Sequence, residues 1–241
     1  MPNITHNPAQ GPLRVLTICS GPGQATWAAL ELQQQLKAKS GFSPFEVAGL
    51  FSDRPGGPAL AEADRRSLPK YFLDSSAFHR GQPGQQMSAE DNLAYETALM
   101  ELVAPAAADC LLVDGYQWTI GRPLLGKFSA VRIWPAGPAC LKGFLKTGQT
   151  VLRNRVTYLT APGGVGPVII TAPPITVDYS RFEDERGALA LYLPQVMAQS
   201  GRAGARAVEE IGRGNFALDA QGVLSYKGQI APNGLVIDAW N

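Results

Sequence analysis

The feature that most constrains this fold is a short apolar run, Val15-Leu16-Thr17-Ile18-Cys19, cut by Ser20-Gly21-Pro22-Gly23. Helical spacing follows at once, through Ala25, Ala28, Ala29, Leu32 and Leu36. A short run without polar alternation marks a strand covered on both faces. Strand, glycine turn and helix make the first half of a βαβ unit. The pattern repeats. A strand fits Phe45 to Phe51, then the turn Ser52 to Gly57, a short helix from about Pro58 to Arg66, and a strand near Tyr71-Phe72-Leu73. Ser88 with Asp91 resembles a capping box, and opens a helix carrying Leu93, Ala94, Thr97, Ala98, Met100, Leu102 and Val103. Cys110 to Val113, ending at Asp114-Gly115-Tyr116, and Ala130 to Trp134 are two more buried strands. Such alternation predicts an α/β fold, a mostly parallel twisted sheet with helices on both faces.

The pattern then changes. Arg155 to Thr160 and Pro167 to Thr171 read as strands joined in a hairpin by Ala161 to Gly166. A helix is expected from Glu183 to about Gln199, weakened by Pro194, and the last forty or so residues read as a small terminal β-meander. The expected organisation is a flexible arm over 1–12, an α/β domain over 13–202, and a C-terminal meander over 203–241 packed on the same domain.

Composition bears mainly on partners. The 241 residues suit one domain, and a formal net charge of +1 gives no global field toward nucleic acid or membrane. Cys19, Cys110 and Cys140 show no CxxC spacing, so neither a disulfide framework nor a zinc site is expected, and no other metal. The opening residues lack an apolar targeting core, and no run reaches membrane-spanning length, so a cytoplasmic protein is expected.

In a parallel sheet, ligands bind beyond the carboxyl ends of the strands. Three loops fall there: Ser20 to Ala25, Asp114 to Ile120, and Trp134 to Gly148. The first, with Ser20, Gly21, Gly23 and Gln24 before a helix, is either a phosphate cradle or a structural turn. Asp114 is either a titrating carboxylate or a cap on the turn it begins. Arg132, Lys142, Lys146, Arg153 and Arg155 give the third region a basic tone, which suits an anionic ligand or a solvated loop. Trp27, Trp118 and Trp134 lie near these loops, where an indole stacks on a flat ring or fills core space. The two histidines, His6 and His79, lie away from all three loops in sequence and read as solvated surface residues.

Taken in order, these segments resemble the folate-dependent formyltransferases, and most closely their purine-pathway branch, the phosphoribosylglycinamide formyltransferases. The resemblance is carried by RVLTICSGPGQATWAAL, FEVAGLFSDRPGGPALAEA, LLVDGYQWTIGRPLL, AVRIWPAGPA, VTYLTAPGGVGPVIITAPPITV and the tail IGRGNFALDAQGVLSYKGQIAPNGL, from about Arg14 to Leu235. It implies the formyltransferase fold, an anion-binding turn at Ser20, Gly21, Gly23 and Gln24, and a folate pocket bordered by Tyr116, Gln117, Trp118, Ile120, Thr160 and Gly163. It also implies 10-formyltetrahydrofolate or another folate as cofactor and a small-molecule partner; exposed strand edges leave both a monomer and a homodimer open.

The same resemblance shows departures. The family transfers a formyl group with an Asn-x-His pair and a later aspartate, which polarise the carbonyl and handle the proton of the attacking amine. Here Arg132, Trp134 and Gly164 stand at those positions. Pro22 removes an N–H from the glycine turn, Ala25 replaces its asparagine, and Ser200 falls where the family has a substrate-binding glutamate. Three readings follow. The chain has lost standard formyl transfer and keeps a binding role for a folate-like or anionic ligand or a protein partner. Alternatively, it runs altered chemistry in the same cleft, with Arg132 as anion clamp, Trp134 as stacking surface, and Asp114, Tyr116 or Cys140 handling protons. The third is an active glycinamide ribonucleotide formyltransferase with displaced catalytic groups.

Overall fold

The first apolar run becomes β1 (Leu13–Cys19), in which every residue but Arg14 is buried. Gly23 turns the chain into α1 (Gln24–Ser40) at φ +70°, a left-handed conformation that glycine adopts without steric cost. The chain alternates on through β2 (Phe45–Ser52), α2 (Pro58–Arg65), β3 (Lys70–Phe72), α3 (Ala89–Val103), β4 (Cys110–Asp114), α4 (Arg122–Lys127), β5 (Ser129–Trp134) and α5 (Pro138–Leu145). Ser88 caps α3, its Oγ accepting the Asp91 N–H at 3.0 Å. This computed structural model describes residues 6–79, 87–135, 137–164 and 166–240.

Beyond α5 come four short strands, β6 (Val151–Leu152), β7 (Arg155–Tyr158), β8 (Val168–Thr171) and β9 (Ile175–Thr176). The long helix α6 (Glu185–Gly212) follows, then β10 (Phe216–Leu218), β11 (Leu224–Tyr226), β12 (Gln229–Ile230) and β13 (Leu235–Val236). The main sheet has the order β13-β8-β7-β5-β4-β1-β2-β3. β3, β2, β1, β4 and β5 run parallel, whereas β7 is antiparallel to both β5 and β8. The β7–β8 pair is the expected hairpin, and Val165 in its connection lies outside the described residues.

One face of the sheet is covered by α1 and α6 over Val15, Leu112 and Ile133; the other by α3 and α4 over Leu16, Ile18 and Leu111. α6 comes very close to α1. A Cβ on Gly201 would lie 3.0 Å from the Gln24 carbonyl oxygen, and one on Gly204 would lie 3.1 Å from Ala25 Cβ. That approach sets Met197 and Ser200, on the preceding turn, at the carboxyl ends of the strands.

Three expectations about layout differ from the structure. The helix foreseen as ending near Gln199 runs on to Gly212, through Pro194. Its continuation buries Ala203, Ala207, Val208 and Ile211, and that packing outweighs the one hydrogen bond a proline removes. A boundary between 202 and 203 therefore falls inside α6, and the antiparallel meander is β10 to β12. β13 leaves the meander and pairs in parallel with β8 in the main sheet. The arm is tethered where described: Pro8–Gln10 form a 3-10 turn, and His6 Nε2 lies 2.7 Å from the Gly11 carbonyl oxygen. His6 is half-buried there rather than solvated. Among the described residues, no helix is long and apolar enough to cross a membrane.

Candidate functional site

β1 lies between β2 and β4, so the connections after β1 and β4 diverge and open a crevice at the strand ends, where open α/β sheets place ligands. The crevice is a cleft of about 600 Å³. Ser20 to Gln24, Asp114 to Gln117, and Arg132 to Trp134 with Gly137 to Cys140 line it, so all three loops singled out in the sequence converge. Thr157, Met197 and Ser200 complete the wall. Asp114 and Arg132 are the two charged residues among the described lining groups.

One N–H at the start of α1 is already taken by a side chain of the protein itself. Asp114 Oδ2 accepts the Ala25 N–H at 2.9 Å, so this carboxylate caps α1 rather than the turn that Asp114 begins. The Thr26 and Trp27 N–H groups both reach the Gly23 carbonyl. Pro22 has no N–H, and its carbonyl accepts Trp27 Nε1 at 2.7 Å, which fixes Trp27 as a core residue. Ser20 Oγ accepts the Gln117 N–H. Burial pushes the Asp114 carboxyl up to about 6, with the Ala25 N–H pulling the other way. Beneath it, burial and then the charges of Asp114 and Asp53 push the Cys19 thiol well up, so it stays protonated.

Along β5, Ile133 points into the α1–α6 core, and alternation puts Arg132 and Trp134 on the other face. Arg132 Nη2 donates to the Trp118 carbonyl at 3.1 Å, and its Nε is buried without a partner. No described carboxylate lies within ion-pair distance of it. Burial holds the guanidinium below its ordinary pKa, with Tyr116 opposing. Trp134 is 52% exposed at the rim of the cleft. Gly164, the third of the positions aligned with the family's catalytic residues, is not in the wall; its N–H closes a turn onto the Ala161 carbonyl.

Of the six residues expected to border a folate, Tyr116 and Gln117 line this cleft, and Trp118, Ile120, Thr160 and Gly163 do not. Ile120 is buried in the core. Trp118 turns toward β2 and donates Nε1 to Asp53 Oδ2 at 2.9 Å. Its ring centroid lies 5.5 Å from that of His79, so His79 packs on an indole instead of standing in solvent. Arg54 ties Gln117 at 2.8 Å, and the buried Glu96 accepts the Gly121 N–H. The loop after β4 is thus clamped from β2, α3 and β5. Of the residues the resemblance assigns to a folate pocket, this cleft thus takes in two at its edge, and the others lie beside it along the loops after β4 and β7. Of the five basic residues of the third region, the described cleft wall takes in Arg132 alone. Lys142 pairs with Glu185, Arg153 donates to the Ala172 carbonyl, and Lys146 and Arg155 are exposed and outside the wall.

Two positions in this region escaped the sequence. Asn154, fully buried between β6 and β7, donates Nδ2 to the Pro135 carbonyl and to Ser200 Oγ. It pins the third loop, yet a single amide between two strands carries no local signal. Asp53 directly follows β2, and its position at a strand end was the available clue.

The topology defines the formyltransferase class of fold: a mostly parallel sheet with a β7–β8 hairpin, a long helix behind it, and a terminal three-stranded sheet. The solved structures it is similar to are phosphoribosylglycinamide formyltransferases. That from Coxiella burnetii has a TM-score of 0.71 at 17% identity, covering 93% of this chain and 99% of its own. The glycinamide ribonucleotide transformylase 1 of Symbiobacterium toebii has a TM-score of 0.68 at 21% identity, over 89% and 94%. The Bacillus halodurans enzyme has 0.62 at 21%, over 82% and 94%. No protein-family model matches the sequence, and no curated protein matches it. The likeness is therefore one of fold over nearly the whole length.

Proposed function

We propose that this protein binds a small anionic ligand in the cleft at the strand ends and does not carry out formyl transfer by the mechanism its resemblance implies. One observation carries the reading. The cleft wall presents the Arg132 guanidinium and the Trp134 indole, and none of its described residues is a histidine. Both histidines of the chain lie elsewhere, His6 on the arm and His79 against Trp118. Formyl transfer to an amine needs an acceptor for the amine proton and a donor for the oxyanion within about 3 Å of the reacting atoms. A guanidinium supplies donors and does not take a proton. What the wall does offer is one cation without a carboxylate partner and an exposed flat ring beside it. That pairing suits a ligand with an anionic group and a planar portion. In this reading the protein is a cytoplasmic small-molecule binder, and a folate is one ligand to screen.

The test uses the purified chain. Incubation with 10-formyltetrahydrofolate and glycinamide ribonucleotide should give no formylated product above the uncatalysed background. Thermal-shift titration with benzoate, indole-3-carboxylate and folic acid should raise the melting temperature for at least one, because a ligand of the native state stabilises it. That shift should vanish in Arg132→Gln. Turnover at an enzymatic rate, or a shift indifferent to Arg132, would sink the reading.

A further inference from the structure

The glycine turn and the guanidinium are two separate anion-attracting features of one cleft, and the structure treats them differently. A phosphate at a helix N-terminus is held by first-turn N–H groups and the positive end of the helix dipole. In α1 the Ala25 N–H is held by Asp114 at 2.9 Å, the Thr26 and Trp27 N–H groups are turned back onto Gly23, and Pro22 has no N–H to offer. The carboxylate thus takes one of the N–H groups a phosphate oxygen would use and brings a negative charge to the start of α1. Arg132 lines the cleft with one hydrogen bond to the Trp118 carbonyl, a buried Nε without a partner, and no described carboxylate within ion-pair distance.

We propose that Asp114 is a specificity-determining residue that closes the glycine turn to phosphate, so that the ligand of this cleft carries a carboxylate seated on Arg132 rather than a phosphate seated on α1. The proposal rests on the reading of the cleft as an anion-binding site and narrows it to a chemical class. Two like charges about 4 Å apart near a protein surface repel strongly enough to weaken binding by roughly a hundredfold or more. A phosphate at the turn would meet Asp114 at about that range. With Asp114 ionised the described wall carries one charge of each sign, so a monoanion seated beside Arg132 and away from Asp114 is opposed less than a phosphate dianion at the turn.

The experiment compares the wild type with Asp114→Asn and Asp114→Ala, by calorimetric titration of inorganic phosphate and, separately, of benzoate, in mildly alkaline buffer where Asp114 is ionised. Asparagine keeps the shape and can still accept the Ala25 N–H, so it isolates the charge; alanine also frees the N–H. Phosphate affinity should rise by roughly tenfold or more in Asp114→Asn and further in Asp114→Ala, while the wild type shows none that is saturable. Unaltered phosphate affinity in Asp114→Asn, whose fold is checked by its melting curve, overturns the proposal, as does wild-type binding as tight as that of the variants. The benzoate arm separates exclusion by Asp114 from anion binding at Arg132. If phosphate binding appears in the variants but the wild type ignores benzoate, the exclusion by Asp114 stands and the Arg132 anion site falls.

Discussion

Asn154 and Ser200 meet at 2.7 Å, amide nitrogen to hydroxyl, and both lie within 2.9 Å of the Pro135 carbonyl oxygen. A residue between β6 and β7 and a residue of α6 thereby hold the loop that leaves β5. Asn154→Ala removes a fully buried amide with both of its hydrogen bonds and leaves the Pro135 carbonyl to Ser200 alone, which should cost about 1–3 kcal/mol, whereas Ser200→Ala, which leaves the amide bonded to Pro135, should cost about 1 kcal/mol. Urea unfolding of the two variants checks the order. Equal and negligible losses would show that the loop is held by other contacts.

The two tryptophans near the cleft should respond differently to the same change. Trp118→Phe removes the donor from Asp53 Oδ2, and Asp53 Oδ1 is already without a partner, so a buried carboxylate is left bare. We expect a loss of about 1–3 kcal/mol. Trp134→Phe, at an exposed rim position, should move stability by less than about 0.5 kcal/mol and affect ring-bearing ligands instead. Paired denaturation and binding curves give both readouts.

Stability should depend on pH through two buried carboxylates. Burial raises Glu96 to about 7 from an ordinary 4.5, and Asp114 to about 6 from 3.8. Between those ordinary values and the raised ones, the folded chain holds protons that the unfolded chain has released. Stability therefore falls as pH rises through this window and levels off above about 7. Glu96→Gln, which can still accept the Gly121 N–H, should flatten the slope by an amount on the order of 2 kcal/mol across the window. Melting curves in a pH series suffice. A variant as pH-sensitive as the wild type would place the titration elsewhere.

Glycines in α6 should rank by what an added methyl meets. At Gly212 it would come within 2.3 Å of the Pro44 carbonyl oxygen, a backbone atom that cannot step aside cheaply. At Gly204 its nearest neighbour is Ile133 Cδ1 at 2.7 Å, the movable end of a side chain. Gly212→Ala should therefore destabilise by more than Gly204→Ala, with overpacking costs of about 1–3 kcal/mol setting the scale. Chemical denaturation of both variants decides the order.

The first half of the fold could be read from the sequence because each element signals itself locally. Val15 to Cys19 is uniformly apolar, Gly23 marks the turn, and Ser88 announces α3. The second half depends on distant partners. Nothing near Pro194 says that α6 continues; the reason is the core its later turns enter. β13 is two residues long, and its place is set by β8, some sixty-five positions earlier in the chain. The cleft divides in the same way. Its three loops were foreseen because strand ends and glycine turns are local features. The pairing of Asp114 with Ala25, and the turning of Trp118 toward Asp53, are contacts between residues 89 and 65 positions apart.

The return of β13 to the main sheet has a consequence for shortened versions of the chain. β8 has β7 on one side and β13 on the other, so a protein ended after Gly212 would leave β8 with a bare row of amide and carbonyl groups. Bare edges recruit strands from other molecules. The final residues thus act as a seal against self-association, and a trimmed protein should precipitate or oligomerise while its cleft-forming loops remain in the sequence untouched.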